Sequence, residues 1–138
     1  MNPILHLSLP VRDLDESRAF YVDLLGCELG RVRDGWIDVW FYGMQVTLHE
    51  EPDLVAAPGG DPLGVRHFGV TLAADQLDAV MRRLESQTTG RPIEWLRPLE
   101  TQYAGTPRAQ TKAMIVDPSG NAIELKAYAD PSAAFSDR

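Results

Sequence analysis

Cysteine is almost missing from this 138-residue chain. Cys27 stands alone, which excludes an internal disulfide framework and any zinc site built on cysteine. Positive charge is scarce as well: 13 Lys and Arg against 20 Asp and Glu leave a net charge of -7. Nucleic-acid affinity rests on clustered cations, as does docking on an anionic membrane, so neither partner is expected. No apolar run reaches the roughly 18 residues of a membrane span. The start, Met1-Asn2-Pro3-Ile4-Leu5-His6, has no basic region followed by an apolar core, so a signal peptide is not expected and a cytoplasmic address is. A Gly-x-Gly-x-x-Gly fingerprint, a P-loop and a nucleophile elbow are all lacking.

What is present is ordinary for one globular domain, with 44% hydrophobic and 24% charged residues. Ile4 to Pro10 alternates as a strand, with Leu5, Leu7 and Leu9 on one face and Ile4, His6 and Ser8 on the other. Asp13 and Glu16 form a capping signal for a helix whose buried side is Phe20, Tyr21, Leu24 and Leu25 and whose stop is Gly26. Strands are expected over Glu28–Arg33, Trp36–Tyr42 and Met44–Glu50, joined at Asp34-Gly35 and Tyr42-Gly43. Residues 51–63, rich in proline and glycine, read as a linker. The grammar then restarts. Val65–Leu72 alternates, and Leu77, Val80, Met81 and Leu84 fit the helical i, i+3, i+4, i+7 template. Strands follow near Pro92–Leu96, Thr111–Val116 and Asn121–Tyr128, with a tight turn at Asp117-Pro118-Ser119-Gly120.

The expected fold class is therefore α+β: two tandem βαβββ modules whose mixed sheets curl around a cleft. Module one spans 1–50 and module two 64–130, together one domain over 1–130, with a C-terminal tail over 131–138. His6 and His67 fall at the same point of the first strand in each half. Gly43-Met44-Gln45-Val46-Thr47-Leu48 aligns with Gly120-Asn121-Ala122-Ile123-Glu124-Leu125, making Thr47 the internal counterpart of Glu124.

By strand alternation His6, His49, His67, Thr47 and Glu124 all occupy the face opposite the aliphatic one. Ionisable groups on an inner sheet face are costly unless paired, hydrogen-bonded or bound to metal. Two imidazoles and a carboxylate form the pattern suited to Fe(II) and tolerated by Mn, Ni or Zn. Satisfied polar residues in a strand are the bland alternative.

The residues also carry a family resemblance. The stretches are His6-Leu7-Ser8-Leu9-Pro10-Val11-Arg12-Asp13-Leu14, Phe20-Tyr21 with Leu25-Gly26, His67-Phe68-Gly69-Val70, and Asp117-Pro118-Ser119-Gly120-Asn121 followed by Ile123-Glu124-Leu125. They span nearly the whole chain, and it resembles the vicinal oxygen chelate superfamily of glyoxalase I, fosfomycin-resistance thiol transferases, bleomycin-resistance proteins and extradiol dioxygenases. The similarity is greatest to small proteins grouped with extradiol dioxygenases. It implies that His6, His67 and Glu124 hold one divalent metal, Fe(II) favoured, in the cleft. Glyoxalase I carries a fourth ligand, usually Glu, where this chain has Thr47, so the three-ligand chemistry of dioxygenases and thiol transferases fits better. The implied activity is ring cleavage of a small substrate that chelates the metal through vicinal oxygens. The alternatives are non-redox isomerase, lyase or thiol-transferase chemistry, and non-enzymatic binding of a small molecule.

His49, two residues beyond Thr47 on the same face, is expected to act as a general acid/base toward bound substrate, the alternatives being a solvated strand end beside Glu50 and Glu51 or a fourth metal ligand. Trp36, Trp40 and Trp95 either wall a substrate pocket or pack structurally. Residues 98–109 read as a long loop, a lid or an ordinary exposed connection. From it Tyr103 is a candidate proton donor and Arg108 a candidate anchor for an anionic substrate. Cys27 reads as packing, and Arg12, Arg18 and Arg31 as surface or ion-pair residues. Open sheet edges favour a partner, so a homodimer is expected.

Overall fold

The structure, a computed structural model, describes residues 1–56, 61–87 and 92–135. Its chain falls into two compact units, Met1–Gly60 with Asp117–Asn121, and Asp61–Val116 with Ala122–Arg138. The first contains β1 (His6–Val11), α1 (Leu14–Arg18), β2 (Glu28–Arg33), β3 (Trp36–Phe41) and β4 (Met44–Glu50). The second contains β5 (His67–Leu72), α2 (Ala74–Glu85), β6 (Glu94–Gln102), β7 (Gln110–Val116) and β8 (Ala122–Tyr128). Each forms a curled four-stranded sheet, ordered β1-β4-β3-β2 and β5-β8-β7-β6. The first and last strands of each module are parallel and the others antiparallel. A parallel pair needs a crossover, and in both units a helix supplies part of it. The α+β class and duplicated modules expected from sequence are what the fold contains. Among the described residues no helix is long and apolar enough to cross a membrane.

The duplication extends to register. His6 pairs with Gln45 as His67 pairs with Ala122, and Ser8 pairs with Thr47 as Gly69 pairs with Glu124. Both first strands alternate in exposure, His6 and His67 on the open side, Leu7 and Phe68 on the covered one. In the second unit α2 packs on β5 and β8. Leu77, Met81 and Leu84 of the helix and Ile123, Leu125 and Ala127 of β8 are buried. Each large apolar side chain so covered contributes about 1.5–3 kcal/mol.

Two elements differ from the sequence reading. The first helix is α-helical only over Leu14–Arg18 and continues as a π-helix over Ala19–Leu24. Asp13 caps it by accepting from the Glu16 N–H at 2.9 Å. The Leu25 N–H reaches back to the Phe20 carbonyl, and Gly26, at φ 77°, ends the element. An apolar pattern two turns long cannot separate an i+4 from an i+5 ladder, which is why the widening is invisible in sequence. The second difference is β6, which runs through Gln102 and shortens the expected loop to 103–109. Pro98 lacks a donor for the ladder, yet it lies where the register with β7 shifts between Arg97 and Glu100, a bulge that tolerates it. The C-terminal segment opens with a short 3-10 helix, Pro131–Phe135, where Asp130 accepts from the Ser132 N–H and hydroxyl.

The turn between β7 and β8 belongs to the first unit and is organised by Asp117. Its carboxylate, 2% exposed, accepts from the backbone of Ser119 and Asn121, the Asn121 amide and the Tyr21 hydroxyl. Burial pushes the Asp117 carboxyl up against the opposing pull of these donors. Asn121 also donates to the Pro10 carbonyl and the Arg12 N–H to Ser119 Oγ, tying the turn to the end of β1.

Candidate functional site

In the second unit, His67 opens β5 and Glu124 lies two residues into β8. Their side chains meet with Nε2 to Oε2 at 2.8 Å. On the other side of the ring, Nδ1 is 2.7 Å from the Gly64 carbonyl oxygen. A carbonyl only accepts, so Nδ1 carries the proton; Nε2 then either donates to the carboxylate from a doubly protonated ring or faces it with a lone pair. Two acceptors at that separation need a proton or a cation between them. A metal-ligating histidine usually gives its other N–H to a carbonyl or carboxylate, and the Gly64 carbonyl stands where such a partner would. These two side chains could supply one nitrogen and one oxygen donor to a divalent metal. Nitrogen and oxygen ligands about 2.0–2.2 Å from one ion stand roughly 3 Å apart, close to the separation already in place.

The loop before β5 is built to present His67. Asp61 accepts from the Val65 and Arg66 N–H groups at 3.2 and 2.8 Å, and its carbonyl from Gly64 at 3.0 Å. These bonds hold the Asp61 carboxyl below the usual carboxylate range, the Arg66 N–H contributing most. Gly64 lies at φ 63° with Leu96 and Met114 pressed where a Cβ would go, so only glycine suits the turn that carries the accepting carbonyl.

In the first unit His6, Thr47 and His49 share one face through the β1–β4 register, with Trp36, Asp38 and Trp40 of β3 beside them. Asp38, only 1% exposed, is the hub. Thr47 Oγ1 donates to it at 2.6 Å, Arg31 Nε at 2.6 Å and Gln45 Nε2 at 3.3 Å. Burial would raise the Asp38 carboxyl, but Thr47 and Arg31 outweigh it and hold it below its ordinary value. The Arg31 guanidinium also lies over the Trp36 ring at 4.9 Å, and Trp36 is 6.3 Å from the His49 ring. Sequence reading missed Asp38. The available signal was its register, since alternation puts it opposite Thr47 between two tryptophans. It also left Arg31 among surface or ion-pair residues, and the ion pair is with this buried acid.

A carboxyl depressed in the folded state binds fewer protons than its unfolded form, so its stabilisation is full above the unfolded value of about 3.9 and is lost as pH falls through the folded one. Asp38→Asn is expected to lower stability at neutral pH by about 2 kcal/mol and to flatten the acid limb of the stability curve. Urea midpoints across the acid range measure this, and parallel curves for both proteins would refute it.

Trp40, half-buried, pairs with Gln45 and closes over Gly30, where an added Cβ would lie 3.2 Å from its Nε1. Tyr103 and Arg108 are exposed in the β6–β7 loop and are brought to each other, the guanidinium 5.5 Å from the ring centre. They are not beside Glu124: Gln110, at the loop's exit, pairs with Tyr128, four residues and about 13 Å along β8. Cys27 is buried, and burial pushes its thiol up to about 12, which suits packing. Among the described residues no group of three or more His, Cys, Asp or Glu side chains is gathered in a form that could hold a metal ion. His67 and Glu124 are the pair brought into contact, and His6 lies in the first unit.

Comparison with solved structures sets these units in context. A glyoxalase/bleomycin resistance protein/dioxygenase from Alicyclobacillus acidocaldarius is 31% identical, covers 94% of this chain and 93% of its own, and superposes with a TM-score of 0.79. A glyoxalase/dioxygenase from Nostoc punctiforme, 19% identical over 93% of this chain and 92% of that one, has a TM-score of 0.71. A fosfomycin resistance protein from Listeria monocytogenes, 15% identical over 92% and 93%, has a TM-score of 0.70. The last two show likeness of fold. None of the curated proteins compared matches the chain. The model of the Glyoxalase/Bleomycin resistance protein/Dioxygenase superfamily matches residues 3–125, the span of both modules through the Glu124 strand. With the duplicated βαβββ topology and the 31% identical neighbour, this settles the family: the chain belongs to the glyoxalase/bleomycin resistance protein/dioxygenase superfamily.

Proposed function

We propose that this protein is a metal-dependent dioxygenase of the extradiol type, acting on a small substrate that presents two neighbouring oxygens. The observation that carries the reading is the His67–Glu124 pair, with Nε2 and Oε2 2.8 Å apart and Nδ1 committed to Gly64. His67 and Glu124, with His6 as third ligand, would hold one divalent metal, Fe(II) favoured. When bound, such an ion supplies Lewis acidity toward a chelating substrate and, with iron, one-electron chemistry with O2. Thr47 supports three ligands over four, because its hydroxyl is donated to Asp38 and that carboxylate is already engaged by Arg31.

His49 is the proton-transferring group in this reading. β4 puts it on the Thr47 face, half-buried beside Trp36, where its ring nitrogens can give or take a proton. Trp40 and Thr47 line that face, while Tyr103 and Arg108 stand as a separate donor and anion anchor on their loop. A homodimer completes the proposal, its modules either paired within a chain or sharing sites between chains, His6 in the shared case coming from one protomer and His67 with Glu124 from the other; sedimentation at the 15.3 kDa monomer mass would contradict it.

The test is oxygen uptake by anaerobically Fe(II)-loaded protein offered a panel of catechols. Uptake with ring-opened product is the expected result, and His49→Gln should keep its metal while slowing turnover about 100-fold or more. No uptake with any catechol, together with conversion of a 2-oxoaldehyde or an epoxide, would move the protein to the non-redox branch. Full activity in His49→Gln would return His49 to a solvated strand end.

A further inference from the structure

The chain has two lysines, Lys112 and Lys126, and the β7–β8 register sets them directly opposite each other. Like charges facing across an antiparallel pair are destabilising. Eleven arginines carry all the other side-chain positive charge, and this is an acidic protein with 20 carboxylates to place lysines beside. Both lysines are half-buried. Lys126 approaches Glu124 Oε1 only to 4.0 Å and stands 5.7 Å from the Tyr128 ring centre. Lys112 makes no ion pair or hydrogen bond among the described residues. Glu100, its cross-strand neighbour on β6, accepts from Gln102 through one carboxylate oxygen at 3.4 Å. Glu100 and Glu124 set a carboxylate beside each lysine, but stability of the β7–β8 pair by itself does not account for two ammonium groups facing each other.

Position does. Glu124 pairs with Met114, and the next pair on the same face is Lys126 with Lys112. The two ammonium groups therefore belong to the face carrying His67 and Glu124, one pair or about 6–7 Å further along the strands. We propose that Lys112 and Lys126 form an oxyanion subsite that holds a carboxylate or phosphonate substituent of the substrate while its chelating oxygens lie at the His67–Glu124 end. The proposal rests on the chelate reading above and narrows its substrate class to molecules with vicinal oxygens at one end and an anionic group at the other. The protein's net charge of -7 repels an anion at long range, so capture needs a local cationic pair. An oxyanion between the ammonium groups removes their mutual repulsion and gives each a charge-assisted hydrogen bond.

The experiment is calorimetric titration of the full chain with benzoate and with inorganic phosphate, neither of which offers vicinal hydroxyls. Wild type should bind at least one at millimolar concentration. The stronger of the two identifies the carboxylate or the phosphonate-like group. Lys112→Met and Lys126→Met should each weaken binding about tenfold or more, the equivalent of one charge-assisted hydrogen bond. Lys112→Arg and Lys126→Arg, which keep the charge, should retain it, guarding against a folding defect. Glu124→Gln separates the two proposals. Anion binding retained or tightened in that variant, as follows when the carboxylate 4.0 Å from Lys126 is neutralised, with metal lost, places the subsite in the lysines. Absence of metal from wild type with lysine-dependent anion binding intact would overturn the chelate reading and leave the subsite standing. Binding unchanged in both methionine variants, or no binding of either anion by wild type, overturns the subsite.

Discussion

Replacing Glu124 with Ala, or His67 with Ala, is expected to take divalent metal from one equivalent per chain to none detectable after desalting. Each change removes half of the imidazole–carboxylate contact that the described residues of the second unit supply, and under the three-ligand proposal it would leave only two ligands. Glu124 carries the larger consequence, since its loss leaves no carboxylate on β8 to balance the ion's charge. His67→Ala also frees the Gly64 carbonyl, whose bond to Nδ1 fixes which nitrogen faces the site. The readouts are metal content by mass spectrometry and the thermal shift on adding Fe(II), Mn(II), Ni(II) or Zn(II). A ligand at a hundred times its dissociation constant stabilises the native state by about 2.7 kcal/mol, so wild type should melt several degrees higher with metal and neither variant should respond. Full occupancy in either variant would end the assignment of that residue.

The second large effect is expected at Gly69, directly opposite Glu124 in the parallel β5–β8 pair. A Cβ built there would fall 2.1 Å from the Glu124 carbonyl oxygen and 2.9 Å from its carbon. Those are backbone atoms, so no rotamer change relieves the overlap and the strands must part. Overpacking that flexible side chains can absorb costs about 1–3 kcal/mol, and a clash with ladder backbone lies at or above the top of that range. Gly69→Ala should therefore lower stability by about 3 kcal/mol or more. Parting the strands also draws His67 from Glu124, so the variant should lose metal affinity under conditions where it is still folded. Ser8, the matching position in the first unit, faces Thr47 and accommodates a Cβ, which makes the glycine specific to the Glu124 strand. A Gly69→Ala protein with wild-type denaturation midpoint and metal content would show that the strands separate without cost.

Much of the architecture was legible in the residues. Alternation along Ile4 to Pro10 and Val65 to Leu72 placed His6 and His67 on equivalent faces. The Asp117 turn with its following Ile-Glu-Leu strand marked the end of the second module, and Leu77, Met81 and Leu84 marked the covered face of α2. Residue periodicity is a local property, so it survives reading without coordinates. The span of the first helix was local too, but its π-helical widening was not, because two turns of apolar residues satisfy either ladder. β6 runs past its expected end into the residues read as a loop, because a bulge against β7 absorbs Pro98.

What only the tertiary structure decided is which polar side chains meet. Strand alternation assigns a face but not a cross-strand partner, and partners come from register. Register brings Thr47 onto Asp38, turning the expected counterpart of Glu124 into a hydrogen-bond donor to a buried acid. It brings Lys112 onto Lys126, and it sets the Tyr103–Arg108 loop at the Tyr128 end of β8, well away from Glu124. The Gly64 carbonyl that orients His67 depends on a turn held by Asp61 and a positive φ, neither of which a list of residue types contains. By itself the sequence determined the modules, their faces and the residues eligible for chemistry. Pairing across strands, a product of backbone hydrogen-bond geometry between segments distant in the chain, decided which of them act together.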